Sequence, residues 1–458
     1  MEKDCIKYIA DRFYLILDGF HLQNLNSFVD DATFSQQQAI YLHEYYHYLT
    51  NLTTFEGLRE FNIVFQDKIR IITRISSKRR LGAFPIKNNL YSDCKDDIDY
   101  WKEVDKISKS DDLDLNFVEE LDKSIEKKFD IVAIHKINES LSCKIGTQII
   151  SGARVSYKIK TTQITTSKLT DEFILTIGVI DEFLCAAIDE YMFLNDLADN
   201  CEVIRNRSFY PYLLFDEFLK YYGLKDNTEP MHKILIAYCA LHSVNPVSTF
   251  IELLENISNN NQSFYRDPEQ FLRDKHINYT KKEYFEELEW ILHYEFSFIE
   301  ECQQQGRRNL RDTIVLLFRK SWQAYEHLKN DFFYFVRPFM IGNIKTGNGR
   351  KKLLALFKNI RAEMEEPLIL QDHKLLDSTP YANHLAMLVA IYEIMDSLYS
   401  NNLATRTCKR KNKYSFPVEE PEDDKIENMP DYPPLTHTWH VALNELGLYG
   451  EYIKLKKK

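Results

Sequence analysis

Apolar side chains at Ile40, Leu42, Tyr45, Tyr46, Leu49 and Leu52 repeat with the 3.6-residue period of a helix, and no breaker follows before Gly57. The run begins at Ser35-Gln36-Gln37-Gln38, a Ser-x-x-Gln capping box that marks a helix start. Upstream, RFYLILD (12–18) is β-rich and ends at Asp18-Gly19, which predicts a strand and a turn. Between 129 and 168 the period changes. FDIVAIHKI and ARVSYKIKTTQITT are β-branched and alternate apolar with polar, so two or more antiparallel strands are expected. Thr170-Asp171-Glu172 is expected to open a long helix through DEFILTIGVIDEFLCAAIDEYMFLNDLADN, with Glu182, Cys185, Ala186 and Glu190 near one face. After FYPYLLF (209–215), helical stripes recur to about residue 400.

Two stretches lack such a pattern. Residues 88–128 are charged and polar and predict a solvated insertion, while 409–435 combine Pro with acids and predict an extended linker. The expected architecture is α+β and predominantly helical. A first unit over 1–225 carries a small antiparallel sheet, an all-helical unit spans 226–405, and 406–458 form the linker and a short amphipathic tail. No internal repeat is found.

Composition agrees with long helices. In 458 residues there are only 13 Gly and 13 Pro, against 29 Phe and 28 Tyr. The formal charge of -11 argues against a nucleic-acid partner, and the short basic runs at 78–80, 350–352 and 456–458 are too small to reverse that. The first twenty residues interleave acids and lysines where a signal peptide needs an apolar core. No window approaches 18 charge-free apolar residues, so no membrane association is expected. Eight scattered cysteines without a CxxC pair read as reduced, mostly buried thiols, and the expected compartment is the cytoplasm.

The candidate chemistry lies at His43-Glu44-Tyr45-Tyr46-His47. Histidines four apart project from one helix face about a turn from each other, which lets both reach a single Zn²⁺. Glu44, beside the first, is placed to take a proton from metal-bound water and later return it.

This stretch resembles the zincin metallopeptidases over roughly residues 10–220, and the resemblance implies a zincin-like catalytic domain acting on a protein or peptide substrate. It also implies that the strand before the motif helix is the substrate-binding edge. Tyr48-Leu49-Thr50-Asn51 after His47 offers no Gly-x-x-His continuation, which excludes the metzincin branch. The remaining, gluzincin-like pattern implies a glutamate third ligand on a second helix. Glu182 is the choice, with small residues one turn later. Glu139 and Glu190 stay open, whereas Glu56 faces badly for the same ion. The run HEYYHYLTNLTTFEGL is also similar to bacterial cytoplasmic HExxH proteins of conflict and phage-defence loci. There a glutamate-bearing helix precedes a segment like Phe209-Tyr210-Pro211-Tyr212.

Tyr210, Tyr212 and His232 are candidate oxyanion donors, although core packing accounts for most tyrosines in so aromatic a chain. Residues 342–350 lack Gly-Lys-Ser/Thr and a preceding strand, so they predict a helix–helix turn. Cys185 reads as a small packing residue, and His437 with His440 as a solvated tail pair. The expected function is a regulated intracellular zinc peptidase. The alternatives are a zinc-stabilised helical scaffold, with the all-α unit as a partner surface, and a zinc hydrolase of a non-peptide bond. Segments 88–128 and 409–435 are the two candidates for restricting access to the metal, 88–128 being preferred of the two, with a solvated excursion of no regulatory role as the simpler reading.

Overall fold

A computed structural model describes residues 5–9, 14–19, 34–59, 66–67, 69–70, 73, 130–145, 148–162, 172–197, 211–212, 214–342, 344–365, 367–371, 374–375, 391 and 446. The expected insertion at 88–128, the linker at 409–435, Tyr210, His437 and His440 lie outside them. Strands β1 (Cys5–Ile9) and β2 (Tyr14–Asp18) lead into helices α1 (Gln36–Thr53) and α2 (Phe55–Arg59). Strands β3 (Ile131–Ile145), β4 (Gln148–Thr161) and β5 (Glu172–Leu175) precede α3 (Ile177–Leu194). Helices α4 (Leu214–Tyr221), α5 (Pro230–Leu241), α6 (Pro246–Asn259), α7 (Asn278–Gln304), α8 (Arg308–Asn330) and α9 (Gly347–Met364) follow, with short helical turns between them. Strands β6 (Leu368–Gln371) and β7 (Lys374–Leu375) come last. The described chain is mainly helical α+β.

Helix α1 starts where its sequence marks it. Gln38 N donates to Ser35 Oγ (3.2 Å), and Ser35 N donates to Gln38 Oε1 (2.8 Å), so two end donors that the helix cannot satisfy are bonded. Its tyrosines are core: Tyr41, Tyr45, Tyr46 and Tyr48 are buried. A buried phenol needs a partner, and three of these donate to carbonyls far along the chain. Tyr46 Oη reaches Phe335 O (2.7 Å), Tyr48 Oη reaches Met364 O (3.1 Å) and Tyr45 Oη reaches Glu365 O (2.9 Å). Tyr284 on α7 donates to Thr53 O at the other end of α1. The packing around α1 thus crosses residue 225, the expected edge of the first unit, and the buried apolar cluster runs on both sides of it.

Glu365 itself stands at φ 57, ψ -171, a backbone region that costs a non-glycine residue about 1–3 kcal/mol. The clamp from Tyr45, together with the Lys320 Nζ–Glu365 Oε2 pair at 3.2 Å, holds it there. The chain then enters β6, which pairs parallel with β2.

The sheets correct three expectations. Within 129–168, β3 and β4 do pair antiparallel, with Glu139 opposite Arg154. The long helix, however, opens at Ile177. Glu172–Leu175 is a strand paired with β4, because Phe173 and Leu175 face inward and Ile174 outward with period two. Residues 368–375, inside the stretch read as helical, form β6 and β7. Finally, β2 is an inner strand of the order β1-β2-β6-β7 and not the edge that the zincin resemblance implied, since β1 and β6 bond its two sides. Of the turn expected over 342–350, Gly342, Ile344 and Lys345 lie in turns, but Thr346 caps α9 and residues 347–350 are already helical.

At the corner from α1 to α2, a Cβ on Gly57 would lie 2.5 Å from Asn51 Cα and 2.6 Å from its carbonyl oxygen. Backbone cannot step aside as a side-chain tip can. Gly57→Ala is expected to destabilise the protein by about 1–3 kcal/mol, read as a lower urea midpoint at unchanged slope. An unchanged midpoint would show that this corner is not tightly packed.

Candidate metal centre

Helices α1 and α3 pack side by side, and Phe34 N, just before α1, donates to Leu197 O just after α3 (2.6 Å). The start of one helix therefore lies at the end of the other. His43 and His47, one turn apart on α1, meet in reverse order the residues of α3. His43 Nδ1 donates to Asp189 Oδ2 (2.8 Å), and His47 Nδ1 donates to Asp181 Oδ2 (2.6 Å). These two bonds fix the rings with their Nδ1 protons engaged, so each Nε2 is left as a lone-pair donor.

The two Nε2 atoms face each other at 3.2 Å, and Glu182 Oε2 lies 3.6 Å from His43 Nε2 and 3.7 Å from His47 Nε2. Groups at such range need positive charge among them, supplied by a proton on one nitrogen or by a metal ion. The electrostatics agree. Burial alone would push His47 down, yet the Asp181 and Glu182 carboxylates outweigh it and raise the ring to about 9. His242 shows the contrast. It is buried at the end of α1 against Thr53 Oγ1 (3.0 Å) and Tyr238 O (2.8 Å), and burial pushes it down to about 3. One histidine is held neutral by the core; the other sits in a cage built for positive charge.

The donor set fits zinc. A tetrahedral ion about 2.0–2.2 Å from nitrogen and oxygen ligands separates them by roughly 3.3–3.6 Å, close to the three spacings seen. Imidazole and carboxylate suit that metal, and each histidine has the carboxylate partner that orients metal-bound imidazoles. Asp181→Asn and Asp189→Asn are each expected to weaken zinc by about 10–100-fold, measured by competition with a chromophoric chelator. Wild-type affinity in both would mean that the carboxylates are incidental to the rings' orientation.

The other sequence candidates go elsewhere. Glu190 bonds Lys233 Nζ (2.7 Å), Glu56 pairs with Arg59, and Glu139 lies on β3. Glu190 was expected near the face of Glu182, but Asp189 takes that place. Seven residues bring a helix back to within about 20° of its starting direction, whereas eight overshoot by about 80°. Glu44 is half-buried between the two histidines in the chain. The Tyr212 ring lies edge-on to His43 with centroids 6.3 Å apart, so it flanks the centre. His232 instead caps α5, accepting from Glu229 N (3.1 Å) and packing on Phe264 and Tyr265. Cys185 does more than pack, because its Sγ lies 3.6 Å from His47 Nδ1.

Sequence reading missed Asp181 and Asp189, though a signal was present. The α3 segment IGVIDEFLCAAIDEYMFL is apolar except for two Asp-Glu pairs, and acids on a helix buried nearly all round must meet partners. No described helix is long and apolar enough to cross a membrane. Comparison with protein-family models, with characterised proteins and with solved structures finds no match.

Proposed function

We propose that this chain is a zinc-dependent hydrolase of peptide bonds, with a zincin-like catalytic centre on α1 and α3. The observation that carries the reading is the pair of inward Nε2 atoms 3.2 Å apart, each ring tied by its other nitrogen to a carboxylate. His43, His47 and Glu182 would hold the ion. Zinc, when bound, supplies a Lewis acid that makes water acidic enough to deprotonate near neutral pH. Glu44, adjacent to a ligand on the same helix, would be the base that takes a proton from the attacking water and returns it to the leaving amine. Tyr212, whose ring flanks His43, would be the donor to a developing oxyanion.

The choice of a polypeptide substrate rests on the resemblance of His43-Glu44-x-x-His47 to zincin peptidases. So does the placing of the protein among regulated cytoplasmic proteases of bacterial defence, with a partner protein meeting the helices after residue 225. A scaffold with a structural ion is favoured by one feature: the His43 and His47 side chains are only 9% and 12% exposed. One experiment separates the readings. Metal analysis of purified protein should return about one zinc per chain, and terminal profiling of a proteome incubated with it should show new N termini that vanish after chelation. Zinc without new termini would favour the scaffold or a non-peptide hydrolase. No zinc would end the reading altogether.

A further inference from the structure

Besides the histidines and Glu182, α3 presents a fourth donor to the centre. Cys185 lies one turn beyond Glu182, at the three-residue spacing that keeps two side chains on one helix face. It is wholly buried, and its sulfur is in no disulfide. One ligand atom each from His43, His47 and Cys185 lies within 4.8 Å of the other two. Its sulfur lies 3.6 Å from His47 Nδ1, beside the bond of that nitrogen to Asp181.

We infer that Cys185 is a fourth protein ligand of the ion, closing its coordination shell in the resting protein. This rests on the metal reading above and adds to it. A thiolate about 2.3 Å from an ion held by nitrogens at about 2.0–2.1 Å stands roughly 3.6 Å from each nitrogen. The sulfur's described contact is to Nδ1, not to the inward Nε2, so joining the ion requires the Cys185 side chain to turn. On binding, the S–H bond is replaced by a sulfur–metal bond and the proton leaves to water. Two imidazoles, one carboxylate and one thiolate would match a divalent ion in its own shell, with the Asp181 and Asp189 carboxylates lying behind the rings. A soft thiolate also disfavours magnesium and manganese.

The consequence is regulatory. Sites with four protein ligands are closed, and catalytic sites keep a position for water. Cys185 would occupy that position, so hydrolysis requires its sulfur to swing away, and access is set inside the core as well as at the surface.

The test is cobalt substitution, because a cysteine thiolate bound to Co²⁺ gives an intense near-ultraviolet charge-transfer band that nitrogen and oxygen ligands do not. Wild-type protein loaded with cobalt should show the band at about one cobalt per chain. Cys185→Ser should lose the band while retaining cobalt, and Cys239→Ser, at a buried cysteine on α5, should keep it. Stoichiometric cobalt without the band in wild type would overturn the assignment of Cys185 and leave the His43–His47–Glu182 centre standing. Failure to bind cobalt or zinc at all would overturn both.

Discussion

Glu44→Gln is expected to retain zinc and the fold and to lower hydrolysis by about 100- to 10,000-fold, the range a general base contributes. Glutamine matches glutamate in volume and keeps one acceptor oxygen, but it has no basic site for a proton. The contacts described at the ligands come from other residues. His43 and His47 are oriented by Asp189 and Asp181, and the third converging oxygen is that of Glu182. The loss should therefore appear in kcat with KM nearly unchanged, the pattern of an interaction made only in the transition state. Roughly 3–5 kcal/mol of barrier is at stake. Turnover by Glu44→Gln equal to wild type, at equal zinc, would remove Glu44 as the base.

How far the sequence discloses this fold depends on whether the responsible partners are local. Helix α1 is legible because Ser35 and Gln38, three residues apart, make the bonds that start it. The β3–β4 hairpin is legible because its two strands are close in sequence and alternate along their length. The start of α3 is hidden. Thr176 makes no side-chain cap bond, and it is all that separates the strand EFIL from the helix that begins IGVI. Strand β6 is hidden for another reason: it is four residues long and pairs with β2 more than 300 residues earlier. The tyrosines of α1 could be read as core, but nothing local says that their hydroxyls meet Phe335, Met364 and Glu365.

The site divides the same way. Histidines four apart announce themselves, because both lie on one helix and the spacing alone sets the geometry. Their partners depend on the phase of a second helix, where one residue turns a side chain by about 100°. That is why Glu182 could be singled out while Asp189 was passed over for its neighbour Glu190, which faces Lys233. Cys185 was taken for packing for want of the same information, its distance to His47.

Removal of the ion is expected to destabilise wild-type protein and to leave Glu182→Ala unaffected. A ligand bound only by the folded state stabilises it by about 2.7 kcal/mol when free zinc is a hundred times the dissociation constant. Chelation withdraws that term. Glu182→Ala takes away the oxygen on which both Nε2 atoms converge, so it should bind little zinc and melt where chelated wild type melts. His47→Ala should fall lower still. It loses the ion and also strips Asp181 of the ring that holds it at 2.6 Å, leaving a poorly exposed carboxylate without its countercharge. Breaking a buried pair from one side costs about 3–5 kcal/mol, with the lower end expected because the Asp181 side chain is 23% exposed. The order of melting temperatures with excess chelator is then wild type equal to Glu182→Ala, and both above His47→Ala. A chelator-independent wild type would mean that no ion joins α1 to α3. His47→Ala level with the others would mean that Asp181 is satisfied without the imidazole.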